Sequence, residues 1–218
     1  MFCGQEIFCE VVQKADVKRR GRPRAYDAEQ ALSSALEAFW TSGFEATSLD
    51  DLSAATGMNR PSLYAAFGDK RTLFLKALME YRARGEMGLS RLIGENRSVR
   101  DALVNTCAAA LKLYFSGESE ARGCFMTGAA LVGATGDPEL RGALLEGLED
   151  IDRALVTLFQ HGQRSGEVAR DAEPEALAFM ASALFHTLSV RARAGAKQQD
   201  LIRAAAKGVD TLLRAARP

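Results

Sequence analysis

The chain has 218 residues, long enough to bury a sizeable core in one large domain or two small ones without disulfide or metal staples. Lys and Arg together number 28, and so do Asp and Glu; with a formal net charge of zero, any nucleic-acid contact must come from a local basic cluster. The four cysteines (Cys3, Cys9, Cys107 and Cys124) form no Cys-x-x-Cys pair and only His161 and His186 accompany them, which argues against a zinc site, a disulfide framework or a bound cofactor and fits a reducing cytoplasm.

Ala and Leu abound in the long segments and β-branched runs are short, so the fold is expected to be all-α. Ile7, Phe8, Val11 and Val12 sit at helical spacing in a leader that reads either as a short amphipathic helix or as a loose tail. Glu6 and Glu10 interrupt its apolar residues and no basic stretch precedes them, so it is not a secretory signal, and no transmembrane run follows. Lys18 to Arg24 packs Arg20, Arg22 and Arg24 around Gly21 and Pro23, giving an extended cationic arm.

Asp27 is placed to cap a first helix, with Leu32, Ala35, Leu36, Phe39 and Trp40 on one face until Gly43 stops the run. Ser48 caps a short second helix that carries Asp50 and Asp51 in its first turn and turns Leu49, Leu52 and Ala55 inward before Gly57 breaks it. Asn59 caps a third, with Arg60 and Pro61 in its opening turn and Leu63 and Phe67 on its inner face, closed by Gly68. A long helix starts at Asp69 and joins this unit to the rest; further helices are expected at 98–115, 124–134, 138–163, 174–193 and 198–216, punctuated by Gly and Pro. The resulting division is a leader and arm (1–24), a three-helix unit (25–72) and a C-terminal helical domain (73–218).

Two short helices joined through Gly57, the second polar on the face opposite Leu63 and Phe67, meet the description of a helix-turn-helix. From Arg22 to Leu75 the sequence resembles the tetracycline-repressor (TetR) family of regulators. The resemblance rests on Phe39, Gly43 to Leu52, Gly57-Met58-Asn59-Arg60-Pro61-Ser62-Leu63-Tyr64, Phe67, and Lys70-Arg71-Thr72-Leu73-Phe74. It implies a dimeric, ligand-responsive repressor binding a palindromic operator in double-stranded DNA, with the Asn59 to Phe67 helix in the major groove and the arm and the start of the next helix on phosphates. Arg60 has a forked donor suited to guanine, Ser62 a small hydroxyl, and Tyr64 a ring and hydroxyl for sugar and phosphate. Asn59 and Pro61 flank them at the helix start. Lys70, and Ser48 or Thr47, sit where helix N-termini aim N–H groups at phosphate. Ala65 and Ala66 replace larger contacting side chains common in the family, so affinity is expected to lean on the arm with Arg60, Tyr64 and Lys70.

Downstream, Leu177, Met180, Leu184 and Leu188 stripe the penultimate helix and Leu201, Val209 and Leu212 the last. Internal core explains such stripes, while the family resemblance implies a four-helix homodimer interface. Tyr114, Phe115, Phe125, Phe159 and Phe179 are either core or the wall of an apolar pocket for a small-molecule effector, with His161 and His186 as polar anchors. Cys124 falls at a helix start beside Arg122, where a thiolate is favoured, and reads as a reactive sensor or as a buried structural residue. With few histidines and no phosphate-binding Gly-rich loop, the chain is not expected to be an enzyme. The rival is a nucleoid-associated or partner-regulated DNA-binding protein of the same fold that has no ligand; lack of a sizeable apolar pocket would favour it.

Overall fold

The computed structural model describes residues 27–95, 98–117 and 121–217, which leaves the leader and the arm with Arg20, Arg22 and Arg24 outside the described residues. Within them every regular element is helical. Helix α1 spans Ala28–Ala46; Asp27 caps it by accepting the Glu29 and Gln30 N–H groups at 2.9 and 3.3 Å. Its buried face, Ala31, Ala35, Leu36, Phe39 and Trp40, follows the helical repeat. Gly43, at φ +83°, breaks the helix as expected, but the chain then adds a last turn to Ala46.

Helix α2 (Leu49–Thr56) begins with a capping box in which the Ser48 hydroxyl accepts the Asp51 N–H and the Asp51 carboxylate accepts the Ser48 N–H. Gly57 then takes the left-handed conformation at φ +67°, and Asn59 caps α3 (Arg60–Phe67) by accepting the Ser62 N–H at 2.9 Å. Leu52, Met58, Leu63 and Phe67 fill the space between these helices and their neighbours. Ala55, expected to turn inward, is exposed, because Leu52 and Met58 already close the gap across so short a turn.

Helix α4 (Lys70–Glu95) is 26 residues long; its N-terminal half, through Leu73, Phe74, Ala77 and Leu78, packs on α1 and α3. Its far half packs on α5 (Val99–Tyr114) and on α7 (Pro138–Ser165), so α4 belongs to both halves of the molecule. Between α5 and α7 the expected helix is a wider π-helical stretch, Met126–Ala130, running into the single turn α6 (Leu131–Gly133). This segment lies hard against α8 (Pro174–Arg193): a Cβ on Gly123 would come within 3.0 Å of the Ser189 carbonyl, and one on Gly128 within 2.6 Å of the Arg193 guanidinium. Helix α9 (Gln198–Ala215) completes the C-terminal bundle against α5 and α8.

One aromatic cluster runs through both halves. Phe39 and Phe44 of α1 meet Phe74 of α4, at centroid distances of 5.0 and 5.1 Å, and Phe74 meets Phe125 at 5.3 Å. Phe125 in turn contacts Tyr81 at 5.6 Å and Trp40 at 6.1 Å. The core is therefore continuous from under the α2–α3 unit to the interior of the C-terminal bundle. Among the described residues no helix is long and apolar enough to cross a membrane, and no His, Cys, Asp and Glu side chains gather into a metal-binding group.

Candidate nucleic-acid interface and ligand cavity

Gly57 sets α3 across α2 and leaves Arg60, Pro61, Tyr64 and Ala65 on the outer face, with Ser62 and Ala66 half-buried. Arg60 and Tyr64 lie one turn apart on one face, and the Tyr64 side is 49% exposed. The guanidinium of Arg60 is forked onto Asp50 in the first turn of α2, Nε to Oδ1 at 3.0 Å and Nη2 to Oδ2 at 2.6 Å. That hydrogen bonding pushes the pKa of Arg60 up. Asp50 is a residue that the sequence alone gave no reason to pair with Arg60, since the partners are ten residues apart across the turn.

The expected phosphate-binding side chains divide. Thr47 is buried and donates to the Gly43 carbonyl at 2.6 Å, so it faces the protein interior and not a phosphate. Ser48 is exposed but its hydroxyl is held in the capping box, donating to Asp51 at 2.7 Å. The Asn59 carbonyl oxygen is committed to its own cap. Lys70 lies at the start of α4 over the Phe44 ring, 4.6 Å from its centroid, and its ammonium reaches the Glu45 carbonyl at 3.4 Å.

A cavity of about 420 Å³, partly open to solvent, lies between α1, α4, α5, α7 and α8. Leu89, Ala110, Leu113 and Ile151 give it apolar walls; Trp40, Tyr81, Tyr114, Cys124 and His186 give it polar edges. The Tyr81 hydroxyl donates to the Cys124 sulfur at 3.3 Å, and Tyr114 interacts with the same thiol. Burial pushes both phenols well above their ordinary pKa, so they are neutral donors. Burial lowers the pKa of His186, against an opposing pull from Asp152, and its ring pairs with the Ser182 hydroxyl at 3.3 Å. The Cys124 N–H donates to Ser189 at 2.7 Å. Arg122, expected to favour a thiolate there, is committed elsewhere: its guanidinium pairs with Glu37 and with the Ser116 hydroxyl and stacks 3.9 Å from the Trp40 ring.

Of the expected pocket residues, Tyr114, Cys124 and His186 line this cavity. Phe125 and Phe159 are fully buried in the core beside it, and Phe115 is half-buried outside it. His161 is exposed, and Phe179 is 67% exposed on the outer face of α8. Trp40, which periodicity marks only as core, and Tyr81 contribute to the cavity because α1 and α4 cross at this point.

The stripes on α8 and α9 divide likewise. Leu188, Leu201 and Val209 are buried within this chain, so they are unavailable to a partner; Leu177, Leu184 and Leu212 are half-buried against the same core. Met180, 58% exposed, sits instead on an outward face of α8 with Ala176, Phe179, Ala183 and Val190. The residue pairs differ because an amphipathic pattern marks an apolar face without saying which neighbour covers it.

Two family models match the chain: bacterial regulatory proteins of the tetR family over residues 31–77, and the tetracyclin repressor-like C-terminal domain over residues 100–207. The chain is 33% identical over 189 residues to the HTH-type transcriptional repressor ComR of Escherichia coli K12, covering 86% of this chain and 90% of ComR. It is 38% identical over 104 residues to the transcriptional repressor BdcR of the same organism, covering 48% of this chain and 53% of BdcR. Among solved structures, a cysteine-substituted TetR family regulator CifR, complexed with 26-base-pair double-strand operator DNA, is 31% identical; the match covers 90% of this chain and all of that one at a TM-score of 0.78. With matching models in both halves, a capped helix-turn-helix and full-length relatives, the chain belongs to the TetR family and is a DNA-binding transcription regulator, not an enzyme.

Proposed function

We propose that this protein is a cytoplasmic, ligand-responsive repressor that binds a palindromic operator as a homodimer. The observation that carries the DNA reading is the exposed α3 face with Arg60 and Tyr64 one turn apart, in a chain similar along its length to a regulator solved on operator DNA. In this reading Arg60 contacts a base edge, Tyr64, Ser62 and Pro61 pack on the groove wall, and Ser48, Asn59 and Lys70 bring helix starts to the phosphates. The arm with Arg20, Arg22 and Arg24 adds phosphate or minor-groove contacts. The exposed apolar face of α8 through Phe179, Met180 and Val190 supports a two-fold interface.

The cavity favours ligand response over the ligand-free rival. Helix α4 carries the coupling. At the cavity, Arg82 pairs with Asp150 at 2.8 Å and Glu146 at 3.1 Å; near the DNA-binding unit, Arg71 pairs with Asp137 at 2.5 Å and Glu139 at 2.7 Å. Both clamps tie α4 to α7, so a ligand that shifts one helix against the other biases the separation of the two α3 helices in a dimer. Footprinting on the DNA upstream of the gene tests the proposal: a protected pseudo-palindrome, with half-sites a helical turn or a multiple apart, is expected. Absence of any protected site, or a concentration-independent monomer mass in sedimentation, overturns it.

A further inference from the structure

We propose that the cavity takes an uncharged, mostly apolar molecule with a hydrogen-bond acceptor, and that Tyr81 and Tyr114 hold that acceptor. This rests on the reading of the cavity as the effector site and assigns the chemistry of its ligand.

Of the charged groups that line the cavity, Glu37, Arg82, Arg84 and Asp150 are each held in an ion pair. Glu37 holds Arg122, and Arg84 holds Glu80 at 2.8 Å. Arg82, the more buried of the two arginines that line the cavity, donates to Asp150, Glu146 and the Ala143 carbonyl, so a ligand carboxylate would have to displace an existing anion to find a cation. A desolvated carboxylate without such a partner is strongly disfavoured, and an ammonium seated beside the neutral His186 and phenols faces the same cost, because Glu86, the one other carboxylate on the wall besides Glu37 and Asp150, is exposed to solvent.

Several polar groups on the wall are already used. The Trp40 indole N–H donates to the Gly123 carbonyl at 3.1 Å and the Thr106 hydroxyl to the Ala102 carbonyl at 2.7 Å. The phenols differ: the Tyr81 hydroxyl donates to the Cys124 sulfur, a weak acceptor that a ligand oxygen replaces with gain, and Tyr114 lines the same end. A carbonyl oxygen seated at that end receives two neutral O–H donors, while Leu89, Ala110, Leu113 and Ile151 cover an alkyl or aryl body.

Trp40 is the single tryptophan of the chain and lines the cavity, so its fluorescence reports occupancy directly. The experiment titrates the full-length protein with 2-octanone, octanoate and octylammonium. Saturable change with the ketone, and binding at least tenfold weaker for both ions, is expected. Tyr81→Phe and Tyr114→Phe should each weaken ketone binding by about fivefold, and Ala110→Phe, which fills the apolar end, should abolish it. Far-ultraviolet circular dichroism and thermal melting establish that each variant folds; should Ala110→Phe not fold, Ala154→Leu, also on the cavity wall, replaces it. Preferred binding of either ion, or unchanged ketone affinity in both phenylalanine variants, overturns the assigned chemistry and leaves the effector site standing. Ketone binding that survives the filled cavity, or no response to any of the three probes, overturns the assignment together with the effector site.

Discussion

Removing the carboxylate that holds Arg60 tests how α3 reads DNA. In the free protein the guanidinium fork lies on Asp50, with side chains 53% and 76% exposed. Both partners face water, so the pair is screened and Asp50→Asn should release Arg60 with a gain in operator affinity of at most about fivefold. Arg60→Ala should cost about 10- to 100-fold on the operator, the worth of a bidentate base contact, with little loss on unrelated DNA. In the double variant the gain from Asp50→Asn should vanish, because its route runs through Arg60. The assay is fluorescence anisotropy on a footprinted site and on a scrambled duplex, over a series of salt concentrations. Two results would refute the reasoning. If Arg60→Ala weakens both duplexes equally and lowers the salt slope by about one unit, Arg60 is a phosphate contact. If Asp50→Asn gives the same gain without Arg60, Asp50 acts only by repelling phosphate.

Phe74→Ala should destabilise the protein by about 3–5 kcal/mol in chemical denaturation, since Phe74 is fully buried and joins the rings of Phe39, Phe44 and Phe125; a loss below about 1 kcal/mol would mean the cluster is not structural. Ser48→Ala, which removes the α2 cap, should cost about 1 kcal/mol in chemical denaturation. Arg71 beside Asp137 holds that carboxyl down to about 2, below the ordinary aspartate value of 3.8. The folded pKa is depressed, so this stabilisation is present above pH 3.8 and is lost as pH falls toward 2; Asp137→Asn should flatten the acid limb of the stability profile in that window. Cys107, buried and pushed up to about 12 by desolvation, should remain unlabelled by iodoacetamide at pH 8 in the native protein, with peptide mass spectrometry as the readout.

Local chemistry made much of the architecture legible in the sequence. Asp27, Ser48 and Asn59 each cap the helix that follows them, and Gly57 sits in the left-handed turn that a helix-turn-helix needs. Such signals act within a few residues, where backbone N–H groups and a nearby side chain determine one another without help from the fold. The pairing of Arg60 with Asp50, the turning inward of Thr47, and the division of the α8 and α9 stripes into internal core and outward face were not legible in that way.

The cavity is the clearest case. Tyr114, Cys124 and His186 are identifiable as candidates in the sequence, but Phe159, His161 and Phe179 are equally good ones by periodicity, and Trp40 reads as plain core. Whether an apolar side chain lines a void or fills one depends on how α1, α4, α5, α7 and α8 cross, and on close approaches such as that of Gly123 and Gly128 to α8. Sequence by itself determined the helices, their caps and the DNA-binding unit, because those follow from interactions local along the chain. Tertiary structure alone decided which faces meet, which charges are already paired and where space remains, because those follow from contacts between residues far apart in the chain.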